Sequence, residues 1–208
     1  MVSRLSTTFA VLDLETTSKY VSVARIVEYA VVTFTSQADG YSISTRFSRI
    51  DPGEPIPKEA SAIHGIYDHD VVSAPSTWQA LPNLLSSLHG QVVVGYNILE
   101  YDIPCLAAEC RRHGLDAAWC DCIDSLRGIV DVMPWAARTT QAPTYRKGAR
   151  TLSTMSRRHG VVLESAHAAA DDAVACGHLM LSLMSCGAMP CLGDVVEATW
   201  STWQHLRQ

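Results

Sequence analysis

Asp13 and Glu15, two residues apart in the apolar run Phe9-Ala-Val-Leu-Asp-Leu-Glu-Thr-Thr17, are the first residues in the chain whose types could do chemistry. The run reads as a buried strand. Side chains alternate along a strand, so Asp13 and Glu15 share one face while Leu12 and Leu14 take the other. Two neighbouring carboxylates at the end of an apolar strand repel each other and lose hydration. A divalent cation held by oxygen ligands relieves both costs. A strand that merely runs out into solvent would carry the same acids harmlessly, so other ligands in the chain must decide.

Two more acidic places qualify. Val94-Gly-Tyr-Asn97 followed by Tyr101-Asp102 puts a carboxylate on a helix leaving a buried strand, where open α/β sheets form their functional crevice. The alternative is a first-turn acid that only meets the helix dipole. The second place is Ala166-His-Ala-Ala-Ala-Asp-Asp-Ala173, where small residues let another element approach closely. On a continuous helix His167 and Asp171, four apart, would share a face. His167 and Asp172 would diverge by about 140°. They converge only if His167 lies in the loop before the helix, so geometry alone leaves Asp171 and Asp172 both open.

Asp13-Leu-Glu-Thr16, Gly95-Tyr-Asn-x-x-x-Tyr-Asp102 and His167-x-Ala-x-x-Asp-Ala173 resemble, in order, the three motifs of the DnaQ-like (DEDDh) 3′→5′ exonucleases of the ribonuclease H-like superfamily. The resemblance spans about residues 8 to 185. Ile63-His-Gly-Ile66 and Cys122-Ile-Asp-Ser125 also look like family elements. Two aromatic departures, Tyr96 for His and Tyr101 for Phe, leave the pattern intact. Within it Asp172 matches the metal ligand and Asp171 does not.

The resemblance implies a phosphodiester hydrolase that releases nucleoside 5′-monophosphates from 3′ ends with two Mg²⁺ or Mn²⁺ ions about 4 Å apart. It implies that Asp13 bridges the ions, Glu15 and Asp172 hold the nucleophile-side ion, and Asp102 holds the other, directly or through water. His167, with an ordinary pKa near 6.5, is the implied general base. Leu14 and Thr16 match positions that contact the 3′-terminal nucleotide. His64 is expected near its base or sugar, or in a structural role, and Asn97 is expected to steady the site. DNA is the expected substrate, as single-stranded or short ends. RNA 3′ ends, and a catalytically inactive end-binding module, are the competing readings. A polymerase partner and a homodimer are both compatible with the family.

The elements that must position these residues follow from pattern. After the first strand, Arg25–Phe34 and Tyr41–Ile50 read as two more, joined by the Asp39-Gly40 hairpin signal. Lys58–His64 reads as a short helix closed by Gly65. A helix from Ala74 should kink or divide at Pro82. Val92-Val-Val94 suits a central strand, and a helix runs from Asn97 to Arg112. Trp119–Ile123 reads as a further strand, Asp124–Ala137 as a helix broken near Pro134, and Arg138–Arg150 as a loop. Helices over Thr151–His159 and Ala168–Met184 follow, and Asp194–Leu206, with Trp200 and Trp203, reads as an amphipathic helix. Strands first and alternation afterwards predict an α/β fold, an antiparallel meander followed by parallel strands in one mixed sheet flanked by helices. Residues 1–190 are the expected exonuclease domain, with 191–208 a C-terminal helix packed on it.

Composition narrows the partners. The chain has 208 residues, 48% of them apolar, and a net charge of −5, which disfavours a broad basic nucleic-acid surface. Its basic residues concentrate at Arg138, Arg146, Lys147, Arg150, Arg157 and Arg158, a loop that either grips phosphates or offsets nearby acids. The seven cysteines lack zinc-site spacing and read as reduced thiols. With no apolar run near the ~20 residues of a membrane span, and no signal-peptide pattern, a cytoplasmic protein is expected.

Overall fold

The computed structural model describes residues 8–139 and 148–197. Five strands form one sheet: β1 (Thr8–Thr16), β2 (Ile26–Gln37), β3 (Gly40–Arg49), β4 (Val92–Gly95) and β5 (Gly128–Asp131), in the order β3-β2-β1-β4-β5. The first three are an antiparallel meander, and β4 and β5 add parallel to β1. This is the expected mixed sheet. The carboxyl ends of β1 and β4 lie side by side, so residues following both can meet.

Alternation along β1 builds two cores. Ala10, Leu12 and Leu14 pack against α3 (Thr77–Leu88), α4 (Asp102–Arg112) and α5 (Asp116–Ser125). Phe9 and Val11 pack against α7 (Leu152–Arg158) and α8 (Ala169–Ser185). Asp13 and Glu15, in phase with Phe9 and Val11, therefore face the α8 side. The rings of Phe9 and Phe34 stack across β1 and β2 with centroids 4.9 Å apart. Helix α8 lies directly on Phe34, since Gly177 leaves no Cβ to collide with that ring. Two short helices, α1 (Lys58–His64) and α2 (Asp68–Val71), border a third small core with Val27 and Ile56.

Several expectations change. Trp119–Ile123 is not a strand but lies inside α5, whose Cys122 and Ile123 are buried beneath α3 and the sheet. The predicted helix over Asp124–Ala137 is instead β5 followed by α6 (Met133–Arg138), because Ile129 and Val130 complete the sheet edge beside β4. Pro82 does not divide α3, which runs unbroken through it. Gly65 closes α1 in the left-handed region, φ 71°, as expected. All seven cysteines are free, four of them buried. Residues 192–197 are helical, with Leu192 and Val195 buried in the α8-side core. The rest of the expected tail helix, with Trp200 and Trp203, lies outside the described residues, as do Arg146 and Lys147. Among the described residues no helix is long and apolar enough to cross a membrane.

Candidate active site

Strand β1 ends with an irregularity between Glu15 and Thr16 that breaks its register with β2. Bulges of this kind recur beside functional sites, where they re-aim side chains. Glu15 comes just before the irregularity, still paired with Glu28, and by the alternation of the strand faces the start of α8. One carboxylate oxygen of Glu15, one of Asp172 and a ring nitrogen of His167 all lie within 4.8 Å of one another. His167 is not on the helix: its φ is 66° and Ala168 is extended, so α8 begins only at Ala169. That left-handed turn lets the His167 N–H donate to Asp172 Oδ2 at 3.1 Å. The convergence that a continuous helix forbids is thus achieved by a loop. Asp171 instead lines a separate groove with His159, Glu164 and His178.

Asp102 arrives from the other side of β1. Its Oδ1 accepts the Leu14 N–H at 3.1 Å, tying the first turn of α4 to the strand between Asp13 and Glu15. Asp13 and Asp102 stand outside the 4.8 Å grouping, but its charges reach them. Burial, then the charges of Asp102, Glu15, Asp172 and Glu28, hold the Asp13 carboxyl well above its ordinary range. Burial first, then Asp172 and Glu28, push Glu15 up to about 8. Asp172 and Asp102 are raised as well, mainly by burial, against backbone N–H donors that favour their charged forms.

Crowded, dry carboxyls hold protons unless positive charge neutralises them. The Oδ1 atom of Asp172 is buried without a hydrogen-bond partner. An all-carboxylate donor set of this kind, with one histidine at its rim, fits a hard divalent cation.

Beside this cluster lies a pocket of about 740 Å³, lined by Leu14, Glu15, Thr16, Tyr20, Val23, Ile63, His64 and Tyr101 among others. Leu14, Thr16 and His64 thus border one space. The Thr16 hydroxyl is already engaged by the Tyr101 hydroxyl and the Ser18 carbonyl. His64 accepts the Ile66 N–H at Nδ1, and its Nε2 is buried; burial lowers its pKa, against the Thr16 backbone, which raises it. Asn97 does not line the pocket. It sits in the left-handed turn after β4, φ 63°, with its N–H on Asp131 Oδ1 at 3.0 Å.

Two acids near the site escape any motif. Asp131 also accepts from Met133 N–H (3.0 Å) and Leu99 N–H (3.5 Å), so it clamps the turn leading to Asp102. Glu28, opposite Glu15 on β2, accepts the Ala169 N–H at 3.2 Å and fixes the start of α8, while Arg49 approaches its other oxygen at 3.5 Å. A lone acid inside the apolar run Ile26–Phe34 was the available signal for Glu28. For Asp131 it was the run Gly-Ile-Val-Asp-Val, unread because its strand was assigned to a helix. Tyr96, the first aromatic departure, donates its hydroxyl to the Arg150 carbonyl at 2.6 Å and links the β4 end to the turn before α7.

Comparison with known proteins places the chain in a family. Residues 10–180 match the exonuclease family RNase_T. The chain is 28% identical over 181 residues to the DNA polymerase III subunit epsilon of Treponema pallidum, covering 85% of this chain and 76% of that protein. It is 28% identical over 174 residues to the PolC-type DNA polymerase III of Streptococcus thermophilus, covering 83% of this chain but only 11% of the polymerase. Its fold is similar to that of E. coli exonuclease I bound to a dT13 oligonucleotide, with a TM-score of 0.72 at 19% identity, over 90% of this chain and 43% of that one. On the match spanning residues 10–180, the chain belongs to the exonuclease family, as a DnaQ-like 3′→5′ exonuclease domain of the ribonuclease H-like superfamily.

Proposed function

We propose that this chain removes nucleotides one at a time from the 3′ end of DNA, using Asp13, Glu15, Asp102, His167 and Asp172. The observation that carries this reading is the approach of Glu15, His167 and Asp172 to within 4.8 Å beside the pocket at the β1 end. Divalent ions, Mg²⁺ or Mn²⁺ as a pair held by the four carboxylates, would neutralise the scissile phosphate and make a water molecule acidic enough to attack.

The chain's own residues supply the rest. The exposed His167 accepts the proton that the attacking water loses, and Asp172 orients it through the backbone N–H contact. The terminal nucleotide enters the pocket between β1 and α1, where Leu14 and His64 close on it. Thr16 contributes mainly backbone there, since its hydroxyl is spent on Tyr101 and Ser18. Asp131 and Asn97 hold the turn that sets the height of Asp102. The DNA polymerase components among the relatives favour DNA over RNA and make a polymerase a fitting partner.

The test incubates 3′-labelled single-stranded DNA, duplex DNA and RNA with the chain and Mg²⁺, alongside Asp13→Ala and His167→Ala. Stepwise loss from the 3′ end of single-stranded DNA is expected, reduced roughly 10²- to 10⁴-fold in His167→Ala and undetectable in Asp13→Ala. Faster cutting of RNA would move the substrate to the ribonuclease reading. Binding of ends without cleavage would make the chain an inactive module.

A further inference from the structure

Among the described residues strand β3 is an open edge of the sheet, ten residues long. Its exposure is continuous from Gly40 to Phe47. Natural edge strands are normally guarded by proline, a bulge, charged side chains or a covering helix, and of these β3 carries only charge, at Arg46 and Arg49. Here β3 pairs with β2 without a register break from Gly40 to Arg49. Its pairing partners on β2 fix its faces. Tyr41, Ile43 and Phe47 lie opposite Ser36, Phe34 and Ala30, and so face the α8 side. Helix α8 covers β1 and β2 but leaves Tyr41 38%, Ile43 41% and Phe47 58% exposed. The other face of β3 is Ser42, Ser44, Arg46 and Ser48. One side of this edge is thus apolar and the other polar, with Arg46 its charge.

We propose that β3 pairs antiparallel with β3 of a second copy of this chain, joining two five-stranded sheets into one across a two-fold axis at Ser44. A two-fold contact presents the same surface to itself, so a residue pattern must complement its own reverse. Around Ser44 it does. Ile43 falls opposite Thr45, a pair of β-branched residues, and Tyr41 falls opposite Phe47, an aromatic pair, each occurring twice. Asp39, at the hairpin turn, falls opposite Arg49, a cation already fixed by Asp70 at 3.1 Å and Glu28 at 3.5 Å. Arg46 meets Ser42.

Other registers do worse. A slip of one residue sets the apolar face of one copy beside the serine face of the other. Moving the axis to Thr45 leaves Arg49 opposite Tyr41, and moving it to Arg46 sets two guanidiniums against each other. Moving it to Ile43 leaves Arg49 opposite Gln37 and Asp39 without a cation. Only the axis at Ser44 satisfies the apolar and the charged pairs together. The axis is level with Ala10, and Asp13 and Glu15 stand on β1, with β2 between them and the paired edge, so both copies keep open sites.

The experiment uses the full 208-residue chain. Its mass in solution, by light scattering at micromolar concentration, is expected at twice the 22.7 kDa of one chain. Ile43→Arg and Phe47→Arg together should halve that mass while leaving circular dichroism and nuclease activity unchanged. Ser44→Cys should cross-link to itself under mild oxidation, with the joined peptides identified by mass spectrometry. The wild type, whose exposed cysteines are Cys120, Cys186 and Cys191, is the control. A monomer at every concentration overturns the proposal. So does a dimer that survives both arginines, or an oxidised Ser44→Cys protein in which no disulfide joins the two copies through the introduced thiols.

Discussion

At the scale of single residues, the proposed chemistry turns on two neighbouring aspartates with different surroundings. Asp172 meets Glu15 and the His167 backbone, and one of its oxygens is buried without a partner. Asp171 faces the separate groove with His159 and His178. Asp172→Asn keeps the shape but removes the charge, and activity should fall at least about 100-fold. Asp171→Asn should stay within roughly threefold of wild type, well inside what a group remote from the reaction costs. Steady-state rates on a short 3′-labelled strand check both, and the reverse ranking would unseat Asp172 from the site. The Asp13–Glu15 pair was legible in the sequence because a two-residue period is a direct consequence of strand geometry. Helix geometry left Asp171 and Asp172 both open, and only the motif resemblance pointed to Asp172. The left-handed φ of His167, which brings its N–H onto Asp172, has no signature in the helical pattern. Glu28 and Asp131 stayed hidden for a different reason. Their partners, Ala169 N–H and Asn97 N–H, are backbone groups brought to them only by tertiary register.

At the scale of elements, the site is set by how α8 docks on the sheet. The helix carries Asp172 in its first turn, and further along Gly177 lies against the Phe34 ring on β2. A methyl group at Gly177 would collide with that ring, which is itself stacked on Phe9 and cannot turn aside freely. Gly177→Ala gains helix propensity of about 1 kcal/mol, but overpacking a filled core costs typically about 1–3 kcal/mol. The net expectation is a Tm lowered by a few degrees, with about 2–4 °C per kcal/mol for a domain this size. The same displacement lifts Asp172 away from Glu15, so kcat should fall more than the loss of folded protein explains. Unchanged Tm and kcat would mean that α8 has slack against β2. The strands β1 to β4 could be read because each is bounded by turn residues or carries a long β-branched run. The fifth could not: four residues between helices carry too little periodicity to separate a buried strand from a helix turn. The error moved a strand from Gly128–Asp131 to Trp119–Ile123 and with it concealed Asp131.

At the scale of the whole molecule, the carboxylate cluster makes stability depend on pH and on divalent metal. Burial and the charges of Asp172 and Glu28 raise Glu15 from 4.5 to about 8, and Asp13, Asp102 and Asp172 move in the same direction. A carboxyl whose pKa is raised by folding binds more protons in the folded state. Its stabilising contribution is therefore complete below the unfolded pKa and disappears as pH rises through the folded one. For Glu15 that window runs from about pH 4.5 to about 8. Metal-free protein should lose thermal stability steadily across it, and Glu15→Gln should flatten the slope, because the amide has no proton to release. Cation binding works in the opposite sense, since the ligands must shed their protons before they coordinate. Saturating Mn²⁺ should raise Tm, by more at about pH 8 than at about pH 5, with about 2.7 kcal/mol expected at roughly a hundred times the dissociation constant. Scanning fluorimetry in EDTA and in Mn²⁺ across this range reads both trends. A metal-free Tm that rises with pH relative to Glu15→Gln, or a Mn²⁺ increment that shrinks with pH, would show that these acids do not share one cation-binding centre.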